Sequence, residues 1–341
     1  MANATRFLAK SLSLIIIFAL CGFLTLAFLL YQGEDGEIKD VVIPRHSSLK
    51  QVVEILSDDE IVNHPFLFKC LLRVTGGSHK VRAGEFHFKH DMKAYEAIYA
   101  LYYSEPVTHQ VTIPEGWTGR QIASVLAAQG LIDPQKFLAL VYSQSGPKKY
   151  GVNLPNYEGL LFPDTYLFSK VDGEEHILER MVSHFFQKVN KPIADEAKAR
   201  GMTIEQALTL ASIIEKETGV PTERALVSSV FHNRMMKHMR LQSDPTTIYG
   251  IPNFNGHLSR ADLERYTPYN TYVIPGLPPG PICNPGLDAV LAAIRPASTS
   301  YYYFVSNNNG SHIFSETYAQ HARKVFTYHP PVSRRLGRVG N

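Results

Sequence analysis

Apolar and polar positions divide the chain into stretches with different periods. Residues 11–31 (SLSLIIIFALCGFLTLAFLLY) carry no charge. A bilayer core needs roughly 20 helical residues, so this run predicts a transmembrane helix. Arg6 and Lys10 precede it, and Glu34, Asp35 and Glu37 follow. That asymmetry predicts a cytoplasmic N-terminus (1–10), a single pass and the bulk of the chain outside, as for an inner-membrane protein facing the periplasm. A cleaved signal peptide is the alternative. The run exceeds a typical h-region and no small-x-small site follows it. Leu20 before Cys21 is too large for a lipoprotein site.

After a polar linker at 32–40, a pattern repeats at a constant offset of 70 residues. Val41, Ile43, Pro44, Gln51, Val52, Leu56, Ile61 and Val62 return as Val111, Ile113, Pro114, Gln121, Ile122, Leu126, Leu131 and Ile132. Each copy reads as a short strand, a turn and an amphipathic helix, N-capped by Ser47 or Ser48 in the first and by Thr118 in the second. Residues 66–74 read as a helix, 81–88 as a strand and 92–103 as a Tyr-rich helix. Residues 41–108 thus suit a small LysM-like α/β module, and equally a plain spacer.

Further on, 134–142 reads as a helix and 143–155 as a loop. Residues 158–168 read as a packed loop broken by Pro163, and 174–199 as helical with an interruption near Pro192. The ranges 203–218 and 226–239 read as helices, with a polar loop at 241–246. The segment 258–264 predicts a short helix capped by Ser259, and 287–293 another helix. A strand is expected at 301–305, a return strand from His312, and a last helix over 317–328. The basic tail from 329 carries Arg334, Arg335 and Arg338 and predicts disorder. The fold class is α+β, with a mixed α+β domain over 109–328.

Composition narrows the function. The 341 residues are 45% hydrophobic and carry a net charge of +3. That charge is too mild to argue for nucleic acid. Cys21, Cys70 and Cys283 have no CxxC spacing, and no metal or cofactor motif stands out. Outside the cytoplasm, Cys70 and Cys283 have the option of pairing. His232 and His238 lack ligand spacing and read as surface residues.

The chemistry concentrates at ASIIEKET. Glu215 and Glu217 are two residues apart, so on a helix they point about 200° away from each other. Glu217 continues the apolar stripe of Leu210, Ile213 and Ile214. A carboxyl at the edge of an apolar face is desolvated and holds its proton to higher pH, as a general acid must. The plainer reading makes both of them helix-end charges, although acids at a C-terminus oppose the macrodipole. Asn233, Gln242, Ser243, Asp244 and Tyr249 offer groups for sugar hydroxyls and N-acetyl amides. Tyr269, Asn270 and Tyr272 suit a glycan groove by stacking and amide hydrogen bonds. Asn233 suits a buried satisfied amide equally well, and Asp244 a cap for the turn over 246–249.

ASIIEKET, VFHNR, RLQSDPTTIYG, LSRADLERYTPYNTY, GLPPGPICNPG and YYYFV together resemble the YceG-like endolytic murein transglycosylases, over nearly the whole chain. The resemblance implies a peptidoglycan substrate, no cofactor, and a lyase that leaves 1,6-anhydro-muramoyl ends. It places the catalytic glutamate at Glu217. It also suggests penicillin-binding synthases as partners and termination of strand elongation as the role. A single acid suffices when an intramolecular hydroxyl attacks, whereas hydrolysis uses two carboxylates. A water-using muramidase with Asp244 as second carboxylate, and a non-catalytic peptidoglycan-binding scaffold, remain the alternatives.

Overall fold

The protein is described from a computed structural model covering residues 36–329 and the helical positions 15–17, 19–22, 24–25, 27–28 and 31. The basic tail, most of the linker and part of the expected membrane helix lie outside the described residues. Among the described residues, no helix is long and apolar enough to cross a membrane. The chain forms an α+β fold of two compact units. The first runs to His109 and takes back Leu167–Asp172; the second comprises Gln110–Tyr166 and the residues from Gly173.

In the first unit, β1 (Ile38–Ile43) pairs antiparallel with β2 (Gly84–Lys89), from Ile38 opposite Lys89 to Ile43 opposite Gly84. Between them lie α1 (Leu49–Asp58) and α2 (Pro65–Thr75), and α3 (Ala94–Tyr103) follows. Val41, Ile43, Val52, Leu56, Phe68, Leu72, Phe86, Phe88 and Leu101 make the core. β2 begins three residues later than the alternation predicts. Gly84 has φ +153° and a Cβ there would meet Pro106 Cβ at 2.4 Å, so only glycine opens this strand. Glu85 beside it is buried. Burial pushes its pKa up, but the Lys170 ammonium and the His109 ring hold it below the usual carboxylate range.

The second unit repeats that beginning. β3 (His109–Thr112) leads to α4 (Gly119–Ala128) and α5 (Pro134–Val141). Both copies open their first helix with a capping box, Ser48 with Gln51 and Thr118 with Gln121. Both leave it alike, through Ile61 N–H to Leu56 O and Leu131 N–H to Leu126 O. The 70-residue spacing is thus a repeat of structure as well as of sequence. Pro163 does not end regular structure as expected. β4 (Thr165–Phe168) resumes two residues later, and Asp164 O accepts the Ile113 N–H at 2.9 Å.

The remaining helices are α6 (Gly173–Lys188), α7 (Lys191–Ala199), α8 (Ile204–Glu217) and α9 (Arg224–Met236). After them come α10 (Asp244–Tyr249), α11 (Arg260–Glu264) and α12 (Leu287–Ile294). Pro192 starts α7 rather than interrupting one long helix, since proline suits a first turn. α8 is the central rod: Ala207 to Ile214 are buried without exception, against α12 and α9. β5 (Tyr303–Ser306) pairs antiparallel with β6 (His312–Ser315), and α13 (Tyr318–Tyr328) packs on both. Cys70 and Cys283 are both free. Cys70 is exposed on α2, while Cys283 is buried with its thiol 3.3 Å from Ser212 O, so the pairing left open by the sequence does not form. His232 is not a free surface residue either, since its Nε2 sits 2.8 Å from Ala293 O.

Candidate active site

The site is built on the end of α8. Thr203 and Gln206 close a capping box at its start, and Glu217 is its last residue. Thr218 turns extended (φ −138°, ψ 130°) and takes the Val220 N–H on its hydroxyl. Thr218 also donates to Glu223, whose carboxylate accepts the His312 backbone N–H at 2.9 Å. The turn after the helix is therefore tied to β6.

The two acids of the last turn have opposite surroundings. Glu215 accepts from Arg224 Nη2 at 3.3 Å and from the Gly286 N–H at 3.1 Å. Its side chain is 6% exposed and that of Arg224 is 10% exposed, which makes a neutralised structural pair. Among the described residues Glu217 forms no such ion pair. Ser243 Oγ donates to its Oε1 at 2.5 Å, and among the described residues it makes no other hydrogen bond. Burial pushes the Glu217 pKa up to about 7; the Ser243 bond opposes this, the Asp244 charge adds to it, and the Arg234 charge opposes it. A carboxyl whose pKa burial brings near neutral is the kind of group that general-acid chemistry requires.

The loop from Leu241 holds Ser243 in place. Gln242 adopts a left-handed φ of +49°, and its N–H bonds Thr271 O at 3.2 Å. Ser243 N–H donates to Thr271 Oγ1 at 3.0 Å, and Ser243 O accepts from Thr246 Oγ1 at 2.6 Å. With Pro245 in its first turn, the chain coils at once into α10, where the sequence suggested a loop through Thr246. Asp244 is exposed and accepts from Tyr272 OH at 2.6 Å. The side chain of Gln242 is exposed beside it.

The other expected contacts are placed as follows. Asn233 gives its amide hydrogens to Thr299 O and Tyr301 O, both at 2.9 Å, which anchors the strand region to α9. Asn270 is fully buried. Its Nδ2 reaches Asp262 O, Leu263 O and Arg265 O, while its Oδ1 accepts from Thr247 Oγ1 and the Tyr272 N–H. These two amides are spent on the scaffold. Ser243 and Asp244 stand at Glu217, and Tyr272 reaches it through Asp244. The Tyr249 and Tyr269 rings lie 4.8 Å apart.

A cleft of about 970 Å³ opens beside Lys216 and Pro245, the neighbours of Glu217 and Asp244. Its wall includes Thr118 and Gln121 from the second copy of the repeat, with Tyr142, Tyr249, Ile251 and Phe254. Behind that wall lies Glu158, fully buried, with its pKa pushed up to about 7 by burial. It accepts from Gly119 N–H at 2.8 Å, Asn284 Nδ2 at 2.9 Å, Tyr142 OH at 3.1 Å and Tyr249 OH at 3.3 Å.

Sequence reasoning treated Glu158 as part of a structural loop and missed Arg234. Arg234 is buried, donates to Tyr302 O and Leu241 O at 2.7 Å each, and stacks 5.3 Å from the Tyr303 ring. The signal was present: a cation, seven positions after Val227, on a helix that also carries Val227, Val230 and Phe231 inward. Among the described residues no cluster of His, Cys, Asp and Glu is arranged to hold a metal.

An α+β fold with a desolvated acid on a helix end beside a cleft defines the class. Residues 41–327 match the YceG-like family, and the chain belongs to it. It is 30% identical over 305 residues to the endolytic murein transglycosylase of Bacillus subtilis, covering 85% of this chain and 84% of that one. It is 27% identical over 317 residues to the endolytic murein transglycosylase of Streptococcus pneumoniae, spanning 84% of this chain but 57% of that protein's length. The crystal structure of a YceG-like protein from Listeria monocytogenes superposes with a TM-score of 0.58 at 31% identity, covering 84% of this chain and 98% of that one.

Proposed function

We propose that the chain is an endolytic murein transglycosylase, a lyase cutting peptidoglycan between N-acetylmuramic acid and N-acetylglucosamine. The observation that carries this is the Glu217 carboxyl, desolvated and, among the described residues, in no ion pair and hydrogen-bonded by Ser243 alone. As an acid it gives its proton to the glycosidic oxygen while the bond from that oxygen to C1 breaks. As the resulting carboxylate it takes the proton of the muramoyl 6-hydroxyl, whose oxygen bonds to C1. The sugar ends in a 1,6-anhydro ring, Glu217 regains its proton, and no water is consumed. The relatives named endolytic murein transglycosylases support the same reading.

The uncharged run at 11–31 anchors the chain, with the two folded units on the outer side of the membrane. The strand–helix–helix–strand order of the first unit supports a LysM-like module that holds glycan near the anchor. Cutting strands as penicillin-binding synthases extend them would end their elongation.

Digestion of intact murein by the pure full-length protein tests the reading. Anhydro-muramoyl ends that disappear with Glu217→Gln are the expected result. Reducing muramic ends would point to a water-using muramidase, with Asp244 as its second carboxylate. No cleavage at all would leave a binding scaffold.

A further inference from the structure

The cleft beside Glu217 has a charge and a lining that bare glycan does not call for. Two cations face it, Arg120 from the first turn of α4 and Lys216 from the last turn of α8, and no acidic side chain lines it. Both cations are exposed. Neither forms an ion pair among the described residues. Lys216 Nζ spends one hydrogen bond on Gly116 O at 3.3 Å, and the Arg120 guanidinium lies 5.5 Å from the Tyr142 ring centre. Arg120 sits where a cation opposes the helix dipole, so helix stability does not account for it. The acids nearest in sequence are engaged elsewhere, Glu115 and Glu215 with Arg224. Glu158 lies behind the wall with each carboxyl oxygen capped by two donors. Ile248, Ile251 and Phe254 line the same cleft.

A polymer of neutral N-acetyl sugars needs hydroxyl partners and ring faces. Two unpaired cations beside an apolar wall fit a ligand with free carboxylates and short aliphatic side chains. Peptidoglycan carries such a ligand on its muramoyl residues, the short peptide stem. We propose that the Arg120–Lys216 cleft is the stem-peptide site of this enzyme and makes it select peptide-bearing over denuded strands. This rests on the function proposed above. It adds a specificity site to that function: a muramoyl residue at Glu217 puts its lactyl-linked peptide within reach of the adjoining cleft. Each cation gives the peptide a charge-assisted contact, which is stronger and more geometrically defined than a contact to a neutral sugar.

The test compares two substrates on the full-length protein in detergent. One is un-crosslinked glycan strands bearing their peptides, and the other is the same strands stripped by an amidase. The expected kcat/KM ratio is about tenfold or more in favour of the peptide-bearing strands, shrinking as salt rises. Arg120→Ala and Lys216→Ala each reduce that ratio, and the double variant brings it to within about twofold of one. A ratio near one in the unaltered protein, or a ratio unmoved in the double variant, overturns the proposal. An equal loss on both substrates also overturns it, since that is what mere damage to the site produces. Binding of both strands to the Glu217→Gln protein separates this inference from the catalytic reading. Absence of cleavage by the unaltered protein sinks the lyase assignment, while the binding ratio still decides the peptide site.

Discussion

Ser243 donates its hydroxyl proton to Glu217 Oε1 across 2.5 Å. A hydrogen bond given to a carboxylate stabilises its charged form, so this contact restrains a pKa that burial raises to about 7. Ser243→Ala removes the restraint, and the Glu217 pKa rises further. Activity that requires the protonated acid falls as pH rises through that pKa. The alkaline limb of kcat against pH is therefore expected to move up by roughly half a unit to one unit in this variant. Asp244→Asn acts in the opposite sense, because the Asp244 charge is one of the things raising the pKa. The two limbs moving in the same direction would contradict the arrangement.

The two glutamates of α8 give a paired test. Glu217→Gln keeps size and shape but has no proton to give, and a loss of at least about a thousandfold in turnover is expected. Glu215→Gln instead weakens a buried ion pair that Arg224 shares with Glu115. A loss on the order of 2 kcal/mol of stability is expected, with turnover per folded molecule retained. Thermal melts beside specific activities separate the two outcomes.

Glu158 makes folding stability depend on pH in a particular direction. Its pKa is raised from 4.5 to about 7 in the folded protein. The folded state thus binds more protons than the unfolded chain between those values, and stability falls as pH rises through them. The favourable contribution is complete below the unfolded pKa and gone above about 7, a swing of about 3 kcal/mol. Melting temperature followed from pH 5 to pH 8 should fall, and Glu158→Gln should flatten the slope. A slope unchanged by that substitution would assign it to other groups.

Asn270 joins α10, α11 and the loop before Tyr272 through five side-chain hydrogen bonds. Asn270→Ala takes a partner from partly buried carbonyls, the Tyr272 N–H and the buried Thr247 hydroxyl, each such loss costing about 1–3 kcal/mol where water cannot reach. Loss of at least about 3 kcal/mol is expected. Hydrogen exchange should quicken in 244–272 before the rest of the second unit.

What could be read from sequence differs with the range of the forces involved. The helix periods, the capping residues Thr118 and Ser259, and the 70-residue repeat are local patterns, and all of them appear in the structure. That Glu215 and Glu217 face different surroundings was legible as well, because two residues at 100° each set them about 200° apart. The partners were not. Arg224 meets Glu115 across 109 positions, and Asn284 meets Glu158 across 126. Asn233 and Asn270 looked like glycan contacts because an amide serves a sugar and a backbone carbonyl equally well. Only tertiary packing decides which one it meets. The same ambiguity hid Glu158, whose role depends on two tyrosines and an asparagine from distant segments.

The rod that carries Glu217 starts from a fixed point, the capping box at Thr203 and Gln206, and its last helical residue is the acid itself. Helix α8 therefore works as a counter: fourteen residues set both how far the carboxyl lies from the cap and the direction in which it leaves the axis. Adding or deleting one residue anywhere along it shifts the acid by about 1.5 Å and turns it by about 100°. That would bring a side chain other than Glu217 to Ser243. Substitutions on α8 that preserve volume are repairable by repacking, whereas a change of length is not.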